Sequence, residues 1–72
     1  MNEIKITTPF IKLENLLKLS GCTVTGGEAK NAIQGGFVKL NGEICVERGK
    51  KIRPGDVVTF EGEEYSVKNE NN

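Results

Sequence analysis

Seventy-two residues with 36% apolar content make one small domain, enough for a single modest core that buries ~60% of the unfolded chain's surface. No apolar run is long enough to span a bilayer, and the opening MNEIKITTPF lacks the basic-then-apolar layout of a signal peptide, so a cytoplasmic chain is expected. Ten basic residues balance ten acidic ones and histidine is absent, which removes an imidazole base, a catalytic triad and the usual metal ligand sets.

In chain order, EIKIT alternates Ile4 and Ile6 with polar neighbours and predicts a short strand. TPFIKLENLLKLSG predicts a helix near residues 9–20, with Thr8 as N-cap, Pro9 in the first helical position and Gly21 after the last turn. Phe10, Leu13, Leu16 and Leu17 share its apolar face. Lys12, Glu14, Asn15 and Lys18 share the wet one, with Glu14 and Lys18 a favourable i,i+4 pair.

Cys22 and Cys45 stand alone, and two isolated cysteines without histidine do not complete a four-ligand zinc site. They read as small reduced side chains with no metal. A single disulfide is the alternative, which a reducing compartment disfavours.

Thr25-Gly26-Gly27-Glu28 has capping-box spacing, in which the Thr25 hydroxyl meets the Glu28 N–H and the carboxylate returns to Thr25. Val24 and Ala29 fall at the staple positions. The helix it opens, near residues 26–34, turns Ala29, Ala32 and Ile33 inward and Lys30, Asn31 and Gln34 outward, and Gly35-Gly36 stops it. Gly26 and Gly27 allow two readings. Bare backbone at a helix N-terminus lets a phosphate approach the free N–H groups, or the glycines are only a flexible entry.

FVKLNGEICVERG predicts a hairpin around Asn41-Gly42. A two-residue turn there pairs Leu40 with Glu43, whereas the apolar pattern prefers Val38 and Leu40 opposite Ile44 and Val46, so a longer loop or a bulge is the alternative. Pro54-Gly55 suits a type II turn. A Gly62-Glu63 turn would pair Phe60 with Tyr65 and Val58 with Val67 on one face. The domain spans residues 1–68, and 69–72 form a polar tail.

The predicted architecture is α+β: two adjacent helices on a small antiparallel sheet. Val24, Ala29, Ile33, Leu13, Leu17, Val38, Leu40, Val58 and Phe60 are the expected core, and Phe37 is also read as core. Catalysis has no foothold. Asp56 follows a turn and reads as a local hydrogen-bond acceptor, while TGGEAK lacks the spacing of a phosphate-binding GxxxxGK[ST] loop. Neither an enzyme nor a cofactor is expected.

The charges segregate. From Lys12 to Asp56, eight basic and five acidic residues net +3; from Glu61 to Asn72, one Lys against four Glu nets −3. A polyanion would meet the basic body.

The order of a helix, a capped short helix, GFVKLNG and KKIRPGDVVTF resembles the S-four-type RNA-binding domain, named for the fourth protein of the small ribosomal subunit. The likeness covers about residues 10 to 60. Lys12-Leu13-Glu14 matches the family's basic-Leu-Asp step loosely, with Glu14 for the aspartate, and Lys18 falls where arginine is frequent. Thr25 matches the hydroxyl cap, Glu28-Ala29-Lys30 the step after it, and Ile33 and Gly36 the aliphatic residue and glycine that follow. Val38 to Gly42 match Val-x-Val-Asn-Gly with Leu40 in place of the second valine, and Gly55-Asp56 precede the next strand. The look is that of the short stand-alone bacterial members. Gly26 and Gly27 stand where longer relatives place an arginine.

The resemblance implies an L-shaped helix pair bordering a groove for RNA phosphates, with no catalytic role. The candidate contacts on the helices are Lys12, Lys18, Thr25, Gly26, Gly27, Lys30 and Asn31. Lys39 and Asn41 add the strand and its turn; Arg48, Lys50, Lys51 and Arg53 add the following loop. A lone lysine is ordinarily a solubilising surface charge; segregation from the acidic end is what favours a shared site. With aromatics confined to Phe10, Phe37, Phe60 and Tyr65, the fitting partner is structured RNA, expected to be ribosomal RNA or an assembling ribosomal particle, bound by a monomer and read by shape and phosphate position. Two rivals stand beside it. One is a protein-interaction module using Glu43, Glu47 and the acidic tail. The other is a DNA-binding helix-turn-helix, whose short second helix lacks the Arg, Gln and Asn set that reads base edges.

Overall fold

The computed structural model describes residues 2–70. Strand β1 (Asn2–Ile6) is followed by a two-residue strand β2 (Ile11–Lys12) and helices α1 (Leu13–Leu19) and α2 (Gly26–Gln34). Strands β3 (Val38–Leu40), β4 (Glu43–Ile44), β5 (Lys51–Ile52), β6 (Val57–Phe60) and β7 (Glu63–Asn69) complete it. One sheet has the order β1-β7-β6-β3-β4, and β2 pairs with β5 in a separate ribbon. The α+β class is as expected. The sheet is mixed rather than antiparallel throughout, because β1 runs parallel to β7 from Asn2 opposite Tyr65 to Ile6 opposite Asn69.

Helix α1 starts at Leu13, later than its sequence signals predict. The Thr8 hydroxyl donates to the Phe10 carbonyl at 2.7 Å, and Ile11 and Lys12 are drawn into antiparallel pairing with Ile52 and Lys51. Extended Lys12 takes the N-cap position without a side-chain cap bond. Loop carbonyls do the capping instead: the Leu13 N–H donates to Lys50 at 2.9 Å and the Glu14 N–H to Arg48 at 3.0 Å. Two of the four orphan first-turn donors are thereby satisfied.

Helix α2 has the predicted bounds, and its Thr25 hydroxyl accepts from the Glu28 N–H at 3.2 Å. The returning bond differs, since the Glu28 carboxylate accepts from Val24 N–H at 3.2 Å rather than from Thr25. Val24 is 83% exposed, so it neither staples the cap nor joins the core. Both helices end in Schellman motifs built on glycines at φ +83° (Gly21) and +82° (Gly36), where a Cβ would be strained. In the second motif Gly36 N–H donates to Ile33 and Phe37 N–H to Ala32, each at 3.1 Å.

The first hairpin resolves to the tight two-residue turn. Asn41 and Gly42 have φ of 51° and 88°, as type I′ requires, and Leu40 faces Glu43. Ile44 and Val46 are consequently exposed and Leu40 is only half-buried. The second hairpin turns at Glu61-Gly62, one residue earlier than predicted, with φ of 52° and 78°. Phe60 therefore faces Glu63, and Val58 faces Tyr65. A one-residue displacement of the turn moves partners by two, so Val58, Phe60, Tyr65 and Val67 still share the buried face.

Leu13, Leu16, Leu17, Ala29, Ile33, Val38, Ile52, Val58 and Val67 are fully enclosed between the helices and the sheet, with Ile4, Ile6, Phe60 and Tyr65 around them. Truncating one of these leucines to alanine costs about 2–5 kcal/mol. The core thus fixes α1 and α2 against the sheet and presents their remaining faces to solvent.

Candidate nucleic-acid interface

The β2–β5 ribbon brings the most charge together. Lys12 is the register partner of Lys51, and the bonds from Leu13 and Glu14 pull the backbone of Lys50 and Arg48 onto the start of α1. The Lys51 ammonium lies 5.0 Å from the Phe10 ring centroid, a cation–π contact that orients it. Backbone pairing thus brings four cationic residues together from two segments far apart in sequence. Among the described residues none of them pairs with a carboxylate. Arg53 follows the ribbon, and its own N–H is held by Asp56 Oδ2 at 2.9 Å.

The helices contribute separately. Lys18 is exposed in the last turn of α1, where a cation suits the helix dipole. Lys30 and Asn31 are exposed on α2. At the α2 N-terminus a methyl group added to Gly26 would meet nothing within 4 Å, and one on Gly27 would meet only Thr25 Oγ1 at 3.8 Å. The backbone there is open to an approaching anion, while the Thr25 hydroxyl is already engaged by Glu28.

Two predicted residues stand apart. Lys39 lies between buried Val38 and half-buried Leu40, so it projects from the sheet face opposite the helices. Asn41 is committed to the fold: its Oδ1 accepts from Val57 N–H at 2.9 Å, and its Nδ2 donates to Asp56 Oδ1 at 3.2 Å. Asp56 accepts from both Asn41 and Arg53, which makes it the local acceptor its turn position predicts.

Phe37, read as core, is 69% exposed. As the residue after Gly36 its N–H closes the Schellman motif, and its ring lies over Gly35 beside Ala32, Phe60 and Glu61. Cys22 and Cys45 are free and half-buried. Cys22 Sγ lies 3.0 Å from the Tyr65 hydroxyl, and this hydrogen bond, followed by burial, pushes the Tyr65 phenol up to about 12. Two lysines outside the predicted set, Lys5 and Lys68, are register partners across β1 and β7. They come from opposite ends of the chain, so no local signal could have joined them.

The family model described as the S4 domain matches residues 4–68. The chain is 39% identical over 59 residues to an Escherichia coli K12 protein named "Putative RNA-binding protein YbcJ", covering 82% of this chain and 84% of that one. It is 41% identical over 61 residues to "Probable ribosome maturation protein RlbA" of Bacillus subtilis 168, covering 85% and 86%. The solution structure of YbcJ, described as revealing a motif involved in RNA-binding, superposes with a TM-score of 0.72 at 35% identity, covering 94% of this chain and 87% of that one. Sequence, topology and solved neighbour agree, and the chain belongs to the S4 domain family.

Proposed function

We propose that this protein binds structured RNA, namely ribosomal RNA or an assembling ribosomal particle, chiefly through phosphate contacts. The observation that carries the reading is the β2–β5 ribbon, where Lys12 and Lys51 stand side by side and Arg48 and Lys50 are anchored to α1 by their carbonyls. Like charges held together without carboxylate partners attract a polyanion. The open α2 N-terminus supplies further N–H donors. The RNA-binding name of YbcJ and the ribosome-maturation name of RlbA support the same reading. Phe60 and Tyr65 are buried and Phe10 is engaged by Lys51, which leaves exposed Phe37 as the single aromatic ring open to base stacking. Shape and phosphate position are the readable features. The protein works as a cytoplasmic monomer with no cofactor.

Filter binding with purified ribosomal RNA, duplex DNA and a salt series tests this. With about four to six phosphates neutralised, log affinity falls with log salt at a slope of roughly −3 to −5. Equal affinity for duplex DNA, or no salt dependence, overturns the reading. A second reading, a protein-interaction module, draws on exposed Ile44 and Val46 beside Glu43 and Glu47. It takes first place if the folded protein binds no RNA.

A further inference from the structure

We infer that Lys5 and Lys68 form a second phosphate-contact site, which carries the RNA footprint off the helices and around the end of the sheet. This rests on the RNA-binding reading and adds residues to it. Ile4 and Ile6 turn into the core, so Lys5 projects from the opposite face of β1. Its partner in the parallel register is Lys68 on β7, and residues in register on neighbouring strands, about 4.8 Å apart, project on the same side. Both side chains are exposed. Like charges directly opposite on a sheet are unfavourable, and among the described residues neither lysine has a carboxylate partner to offset this.

The two lysines line a groove of about 420 Å³ together with Glu3, Pro54, Gly55, Val67 and Asn69. Two lysines against one glutamate leave it at net +1. The Pro54–Gly55 rim of the groove follows the basic ribbon along the chain. Arg53 immediately precedes the Pro54–Gly55 turn. That turn is fixed against β7 by Gly55 N–H to the Val67 carbonyl and Val67 N–H to the Asp56 carbonyl, each 3.0 Å. Lys50, Lys51 and Arg53 therefore lead, across one short turn, to Lys68 and Lys5. A phosphate between the two ammonium groups accepts a charge-assisted hydrogen bond from each. An RNA that meets the ribbon and this groove together must present phosphates on both sides of the turn, as a bent or two-stranded segment does.

The test compares the intact protein with the Lys5→Gln/Lys68→Gln variant on purified ribosomal RNA across a salt series, with thermal melting of both proteins. Loss of two phosphate contacts makes the salt slope shallower by about 1 to 2. The melting temperature stays level or rises, because a repulsion has been removed. Weaker binding with undiminished stability is the signature of a ligand contact rather than a structural role. If the parent binds with a steep slope and the variant matches it, Lys5 and Lys68 do not touch RNA and this inference falls alone. If the parent itself shows no salt-dependent RNA binding, the functional reading falls and this inference with it.

Discussion

The Leu13 N–H donates to the Lys50 carbonyl at 2.9 Å, so the first turn of α1 and the basic loop hold each other by backbone alone. The Glu14 N–H to Arg48 carbonyl bond, 3.0 Å, repeats the arrangement one residue on. Because main-chain atoms make these bonds, the lysine side chains can be changed without dismantling the loop.

The first prediction follows from that separation. Lys30→Glu/Lys50→Glu/Lys51→Glu should weaken binding to every RNA tested and flatten the salt dependence. Stability should stay within about 0.5 kcal/mol per site, as for most exposed positions. Urea unfolding and filter binding on the same preparation check both halves. A folded triple variant that binds as well as the parent would show that the ribbon is not the contact surface.

At the start of α2, Gly26 has open space where a side chain would stand, and Gly27 has only ordinary contact with Thr25 Oγ1 at 3.8 Å. Alanine therefore fits at both. It should stabilise the helix by up to about 1 kcal/mol per position through better propensity and a less disordered unfolded chain. If a phosphate approaches these bare N–H groups, the Gly26→Ala/Gly27→Ala protein should melt higher and bind RNA more weakly. Unchanged affinity with raised stability would leave the glycines as a flexible helix entry.

The Asn41 and Asp56 side chains join two turns, with Asn41 also accepting from Val57 N–H and Asp56 from Arg53 N–H. Asp56→Ala removes the shared acceptor and should cost about 1–3 kcal/mol. Asn41→Gly keeps the positive φ but loses both amide bonds, so it should also destabilise, by about 1 kcal/mol or more. Denaturant midpoints measure these costs, and neutral outcomes at both sites would remove the structural role assigned to the pair.

The protein's single tyrosine makes its titration directly visible. Hydrogen bonding with Cys22, then burial, raises the Tyr65 phenol from 10.0 to about 12. A folded-state value above the unfolded one means the neutral phenol is favoured by folding. Its contribution is complete below pH 10 and is lost as pH climbs through 12. Tyrosinate absorbance should accordingly rise near pH 12 in the native protein and near pH 10 in denaturant. Cys22→Ala should move the native midpoint down. Identical native and denatured midpoints would contradict the Cys22–Tyr65 bond.

Where the determinants are local, the sequence alone settled the outcome. Thr25 and Glu28 start α2 and Gly35-Gly36 ends it, since capping geometry and positive φ depend on neighbours a few residues away; Asn41-Gly42 marked the first hairpin but left its turn type open. The apolar positions Leu13, Leu17, Ile33 and Val58 are likewise legible because period alone assigns their face. Contacts between distant segments decided the rest. Pairing of Ile11 and Lys12 with Ile52 and Lys51 overrode the Thr8-Pro9 helix signal, because a strand partner and two loop carbonyls satisfy backbone groups that the longer helix would have bonded within itself. The same pairing set Lys12 beside Lys51, and the parallel meeting of the first and last strands set Lys5 beside Lys68. Charge counted along the chain could place Lys68 only within an acidic end. Which charges stand together depends on strand register, and register is fixed by burial of the whole core.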